Sequence, residues 1–445
     1  MKSKIYFFSI CLTMLCSHLS AQGPNFIQDV APIVHAKCTP CHRPNEAAPF
    51  SLISYEDVSK RATFIKKVIS SGYMPPWKAH PDFVEYGNDR SLTAAEKSTI
   101  IQWVDNNVPK GNGEVKNINN LIKMRGVTSY HRNPDTTLKM PKSLALKDDN
   151  VERFVMYKIP FDLDQAFNVE AIEFYTNNKK VMHHVNYSIH EVPDNVPLTT
   201  GPEMIDLSVD DPRLTDQWKP LKPTIEYYGG WIPGATFESY PKGMGWVLPK
   251  RGVIILTMHF APLAKKEDCI AGINLFFTKE KIDRKVKVIS FGSGGIGEKQ
   301  ILPSLMLLPN RVQTFSLTVS NPGEDFSVLY VWPHMHLLGK EFKAYAINTQ
   351  GDTIKLAHIP NWDFRWQEIY RFKRLVRIPK GSKLFIQGTY DNTTNNPFNP
   401  FKPPEMIFSS GNMETTSEML TMIMVFLPYR QGDEHADLSV PGRLP

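Results

Sequence analysis

Apolar residues follow three rhythms along this chain of 445 residues. The first is an unbroken run, Ile5 to Leu15, set between Met1-Lys2-Ser3-Lys4 and a polar stretch that ends Leu19-Ser20-Ala21. A basic start, about eleven apolar residues and a small-residue exit read as a secretory signal peptide over residues 1–21, too short to span a bilayer. The second rhythm is helical and covers residues 22–112. Phe26, Ile27, Val30, Ile33 and Val34 recur at helical spacing, and Ser54 opens a further helix striped with Val58, Ala62, Ile65 and Ile69. Thr93-Ala94-Ala95-Glu96 is a capping box ahead of Ile100, Ile101, Trp103 and Val104. Residues 113–145 are polar without a sustained period and read as a linker or strap. The third rhythm then sets in: β-rich runs such as Val181 to His190, Val253 to Phe260, Phe326 to Trp332 and Met419 to Phe426, punctuated by proline and glycine. About 300 residues of short strands exceed one sandwich, so two antiparallel β domains are expected, over 146–283 and 284–445.

Composition adds little. The formal charge of +6 falls to +4 once Lys2 and Lys4 leave with the signal, too mild a balance to argue for nucleic acid. Cys11 and Cys16 leave as well, so Cys38, Cys41 and Cys269 remain and no structural disulfide is expected. No second apolar stretch is long enough for a membrane helix. The expected location is a periplasm or the cell exterior.

Cys38-Thr39-Pro40-Cys41-His42 carries the first chemistry. Two thiols three positions apart can add to the two vinyl groups of a porphyrin, with the following histidine as axial ligand. A thioredoxin-like pair would want a βαβ setting and has no use for His42. Met74, held in Gly72-Tyr73-Met74-Pro75-Pro76-Trp77, is the expected sixth ligand, with Met124 and Met140 next in line. Helix, motif, helix, methionine loop, helix: the order resembles a class I cytochrome c domain. That resemblance implies an all-α domain over 22–112 holding one covalent haem c through Cys38 and Cys41, with His42 and Met74 on the iron.

Histidines in the β region supply the second constellation. His183-His184 is a tandem pair, which can serve one metal only if a β-bulge turns the two rings to one side. His259 stands alone, and His334-Met335-His336 puts two rings on one face of a strand. A thioether follows at Met413 or Met419, and imidazole with thioether suits copper. His131, His190, His358 and His435 read as ordinary polar residues. Val181-Met182-His183-His184, Met258-His259-Phe260, the His334–Lys340 segment and Thr416-Ser417-Glu418-Met419 together resemble the copper type II, ascorbate-dependent monooxygenases. The spacing is even, with 75 residues from His184 to His259 and 75 from His259 to His334.

The resemblance implies two jelly-roll-like sandwiches facing each other across a solvent-filled cleft, with one copper on each. His183, His184 and His259 would hold the electron-transfer copper, and His334, His336 and Met419 the oxygen-binding, catalytic one. It departs from the peptide-amidating relatives at Trp332, where they carry an arginine, so a glycine-ended peptide is a doubtful substrate. Trp332, Trp362, Phe364 and Trp366 hint at an aromatic pocket, although sandwich core is the favoured reading. The expected activity is hydroxylation of a small organic substrate by O2. Electrons would enter through the fused haem, from ascorbate or a redox protein outside. The alternative is an electron-transfer or copper-binding protein on the same scaffold that does not hydroxylate.

Overall fold

The computed structural model describes residues 23–115, 131–321, 323–409, 416–436 and 438. The signal segment, Met124, Met413 and residues 116–130 of the expected linker lie outside the described residues. Strands take 38% of the chain and helices 15%.

One sandwich pairs a six-stranded sheet with a five-stranded sheet. The six-stranded sheet runs Thr136–Lys139, Ala271–Phe277, Phe167–Thr176, Met244–Leu248 and Arg284–Lys285, with Phe237–Ser239 paired to Phe167–Thr176. The five-stranded sheet runs Met204–Asp206, Arg153–Asp162, Arg251–Phe260, Met182–Glu191 and Tyr227–Trp231. Its central strand is apolar on both faces for a local reason. Ile254, Leu256 and Met258 enter the inter-sheet core, while Val253 and Ile255 lie under Trp218 and Leu221 of the Pro212–Leu221 3-10 helix. Thr136–Lys139 and Leu144–Leu146 fall in the expected linker, and both pair with this sandwich.

A second sandwich joins a five-stranded sheet to a four-stranded one. The first runs Ile296–Gly297, Lys287–Gly292, Thr421–Pro428, Phe326–His334 and Tyr370–Ile378; the other runs Arg311–Ser320, Lys383–Asn392, Gly339–Ile347 and Thr353–Ile359. Between the sandwiches lies an apolar seam, where Leu329, Tyr330, Trp332 and Ile423 of the second meet Tyr228, Tyr240 and Met244 of the first. Trp332 packs so closely over Gly230 that a Cβ there would stand 2.2 Å from the indole, and only glycine fits.

The expected all-α class I cytochrome c domain is not what residues 22–112 form. Their helices are short: Phe26–Val30, Ala31–Lys37, Tyr55–Ser59, Ala62–Ser70 and Ala94–Asp105. The capping signals hold, with reciprocal boxes at Ser54/Asp57 and Thr93/Glu96. What fails is the step from helical periodicity to a helical domain. Helices of five to twelve residues depend on tertiary packing; these pack on one another around Phe26, Val34, Val58, Ile65, Ile100 and Trp103, while the non-helical stretch between Ala62–Ser70 and Ala94–Asp105 docks on the β region. Ala79 and Tyr86 are part of the second sandwich's core. Tyr86 bridges to Phe372, its hydroxyl donates to the Leu356 carbonyl at 2.8 Å, and Gly87 N–H donates to Arg371 at 2.8 Å. The segment thereby covers the outer edge of Tyr370–Ile378, a strand that would otherwise expose unpaired backbone.

Candidate metal centres

The tandem histidines sit where two strands fall out of step. His259 faces His184, whereas the next residue, Phe260, faces Met182. His183 is therefore the extra residue of a β-bulge, and the bulge brings neighbouring rings to one side. The three Nδ1 atoms of His183, His184 and His259 form a triangle with sides of 3.0, 3.3 and 3.4 Å. All three ligand atoms lie within 4.8 Å of one another. No protonation pattern satisfies that triangle: a protonated ring nitrogen has no lone pair, and it can donate to only one neighbour. A cation at its centre satisfies all three at once. Behind the ring of His259, Phe154 stacks at 4.0 Å, and the Glu152 carboxylate lies 3.5 Å from Nε2. That distance is long for a hydrogen bond but close enough to favour an Nε2–H tautomer. Burial, then the neighbouring imidazoles, hold His184 far below its usual range, and burial holds His183 at about 4. Both rings therefore keep their lone pairs at neutral pH.

The second histidine pair is built in the opposite sense. Strand alternation sends Met335 into the core and leaves His334 and His336 together, with Nε2 atoms 3.1 Å apart. His336 Nδ1 donates to the Ser417 carbonyl at 2.9 Å. His334 Nδ1 donates to Gln367 Oε1, whose amide is oriented by the bond from Gln367 Nε2 to the Phe364 carbonyl at 3.0 Å. With both Nδ1 atoms protonated, both Nε2 atoms face the same point, an arrangement one cation can bridge. Burial holds His334 down to about 3. Met419 is buried two residues before Thr421, the residue paired with His334 on the adjacent strand. Glu418 accepts from the N–H groups of His336 at 2.9 Å and Leu338 at 2.7 Å, bracing the turn; burial pushes its carboxyl up to about 8.

One side chain is shared by the two centres. The Phe364 ring lies 6.3 Å from His183, 6.4 Å from His184, 6.1 Å from His259 and 5.7 Å from His336, centroid to centroid. The cleft implied by the resemblance is thus bridged by a phenyl ring.

Elsewhere the histidines have ordinary partners. His190 bonds Thr224 and Ser188, and His358 bonds Glu341. Cys269 is buried in the first sandwich, and so is Met140, whose sulfur accepts from Ala271 N–H.

The Cys38–His42 motif continues the Ala31–Lys37 helix by one turn, since His42 N–H donates to the Cys38 carbonyl at 2.9 Å. His42 Nδ1 donates to Phe50 at 3.1 Å, which leaves Nε2 as the lone-pair nitrogen. The thiols are unpaired, and burial raises both, Cys38 to about 12. Cys41 faces Gly234 of the first sandwich, where φ is +85° and an added Cβ would stand 2.5 Å from the sulfur. Glu46, four residues past His42, pairs with Lys179 at 3.1 Å, just ahead of the tandem histidines. A cavity of about 180 Å³ opens at this junction, lined by Lys37, Pro40, Arg90, Tyr187, Glu238 and Arg371 among others. Met74 lies in a loop whose residues Tyr73 and Trp77 pack on Arg365 and Tyr370 of the second sandwich.

Phe364, Gln367 and Glu152 were not singled out as site residues by sequence. In the sequence Phe364 is one aromatic among several, and Glu418 stands in the Thr416–Met419 segment with nothing to mark a role.

Taken together, the two imidazole sets form two candidate metal centres on paired β-sandwiches. Residues 313–399 match the family model described as "Copper type II ascorbate-dependent monooxygenase, C-terminal domain". The match includes His334 and His336 and supports copper as the metal and monooxygenation as the class of chemistry. Solved structures give only remote likeness. The VP2 subviral particle of infectious bursal disease virus is 10% identical, over 70% of this chain and 76% of that one, with a TM-score of 0.18. The exported PBSX protein XepA is 10% identical over 55% and 88%, with a TM-score of 0.12. Bacillus subtilis oxalate decarboxylase is 8% identical over 75% and 87%, with a TM-score of 0.13. Scores this low carry no argument about fold or function.

Proposed function

We propose that this chain is an exported copper-dependent monooxygenase that hydroxylates a small organic substrate with O2. In this reading His183, His184 and His259 hold one copper, and His334, His336 and Met419 hold the other. The carrying observation is the pair of imidazole clusters, three Nδ1 atoms within 3.4 Å and two Nε2 atoms 3.1 Å apart, each close enough together to share one ion. Copper bound at such sites stores one electron per ion, and a thioether ligand favours the reduced state that meets O2. The chain's own contribution is to keep the imidazoles neutral by burial and to fix their tautomers. For the second pair Gln367 and Ser417 do this, and for His259 the Glu152 carboxylate favours one tautomer.

We also infer a haem c joined to Cys38 and Cys41, with His42 as axial ligand. The free thiols and the lone pair on His42 Nε2 suit such a group. A haem there supplies one-electron chemistry. The Glu46–Lys179 ion pair ties its segment to the turn that leads into His183 and His184, which favours that centre as the receiving one. Ascorbate or a redox protein would serve as external reductant.

Metal and pyridine-haemochrome analysis of the purified protein, with O2 uptake under reductant, tests the reading. Two coppers and one haem per chain are expected. Zinc in place of copper under copper-replete conditions would overturn it.

A further inference from the structure

We propose that Phe364 is a positioning residue that fixes the separation of the two imidazole centres and keeps water out of the space they share. The inference rests on the copper reading above.

A buried phenylalanine in a β-sandwich ordinarily packs among aliphatic and aromatic residues of the core. Phe364 does not. It is only 7% exposed, yet it belongs to none of the apolar clusters that make up the sandwiches and their seam. Its ring neighbours are imidazoles: three from the first centre and one from the second, all within 6.4 Å. Filling a core is therefore not what holds this ring in place.

The loop that carries it is held from both sides. Toward the second centre, Trp362 Nε1 donates to the His336 carbonyl at 3.2 Å, and Gln367 bonds both His334 and the Phe364 carbonyl. Toward the N-terminal segment, Lys78 lies 3.6 Å from the Asp363 carboxylate, Arg90 pairs with Glu368, and the Arg365 guanidinium sits over Tyr73. Asp363 also binds Arg365 through two bonds of 2.8 Å. Every residue from Trp362 to Glu368 is thus engaged by a hydrogen bond, ion pair or ring contact, Trp366 through its N–H to the Asp363 carbonyl at 2.8 Å. A flexible loop would let the ring swing away; this one has no slack at the ring's position.

The physical effect is twofold. A rigid phenyl in contact with both centres sets their spacing as a spacer would, because neither cluster can approach the other through it. It also replaces water on the facing side of each cluster, lowering the local dielectric and strengthening each imidazole's interaction with a bound cation.

The test uses the full chain loaded with two equivalents of Cu(II). Continuous-wave EPR reads the dipolar broadening between the ions, and water-proton relaxation reads solvent access. Wild type is expected to show one well-defined broadening and low relaxation enhancement. Phe364→Ala is expected to bind two coppers still, but with an altered and spread-out broadening and a relaxation enhancement at least twofold higher. Phe364→Leu, apolar but too short to touch both centres, is expected to fall between them and serves if the alanine variant fails to fold. Spectra and relaxation unchanged in the alanine variant, or in the leucine variant where that one serves, overturn the proposal. A wild-type protein that does not take up two coppers sinks the copper reading instead, so the two failures are told apart.

Discussion

Replacing Gln367 by leucine should weaken metal binding at one centre and spare the other. The side chain accepts the proton of His334 Nδ1 and donates to the Phe364 carbonyl, so both bonds vanish while the side-chain volume is nearly kept. His334 is buried, and its orphaned N–H costs about 1–3 kcal/mol. The neutral ring can evade this cost by moving its proton to Nε2, which consumes the lone pair that the metal needs. Loss of such an outer partner typically weakens a metal site by roughly 10- to 100-fold, which is about 1.4–2.7 kcal/mol. Gln367→Leu should therefore weaken Cu(I) at the His334/His336/Met419 centre by that factor and leave the His183/His184/His259 centre within about twofold of wild type. Competition against a Cu(I) chelator resolves the two steps, and Gln367→Glu, which keeps an acceptor, should restore most of the affinity. Equal affinities at the second centre in wild type and the leucine variant would refute the tautomer argument.

Three further outcomes are expected. Met419→Ile should abolish O2-dependent turnover while the three-histidine centre still accepts an electron, and Met413→Ile should leave turnover intact; single-turnover kinetics with reductant separates them, and the reverse result moves the ligand. The metal-free protein should lose stability as pH falls. His183 and His334 are depressed to about 4 and about 3 by burial, so their contribution is full above the unfolded value of about 6.5 and is lost as pH drops toward the folded values. Thermal melts from pH 7.5 to 4.5 should show a slope that His183→Ala/His334→Ala flattens, and equal slopes would contradict it. Cys38→Ser/Cys41→Ser should abolish haem staining on a denaturing gel, and any stain surviving in the double variant rules out thioether attachment at this motif.

Much of the site was legible because it is written in local patterns. His-x-His spacing alone places two rings on one side of a strand, and a tandem pair serving one metal requires a bulge, which the register at His259/Phe260 supplies. Capping boxes at Ser54 and Thr93 likewise depend on residues three apart. The misreading of residues 22–112 has the converse cause. Periodicity marks the helices but not the stretch between them: Tyr86, in no helix, belongs to a core built some 200 or more residues later. Phe364, Gln367 and Glu152 escaped for the same reason. Each acquires its role only when distant strands bring a histidine to it, and nothing in a phenylalanine or glutamine marks it in advance.

The edge pairing of Tyr86–Asn88 also fixes an order of events in making the protein. Tyr86 is separated by 270 residues from the carbonyl it bonds, and Asn88 by 283 from Arg371. The N-terminal segment is therefore synthesised long before the strand it must dock against exists, and loop closure over such a span is slow. Cys41, by contrast, docks on Gly234 of the first sandwich, so its thiol stays clear only until that sandwich has formed. Once docking is complete, Cys41 is pressed against Gly234 and its thiol is raised by burial, so it is a poor nucleophile. Any covalent group carried by this motif would have to be attached before the segment closes against that sandwich.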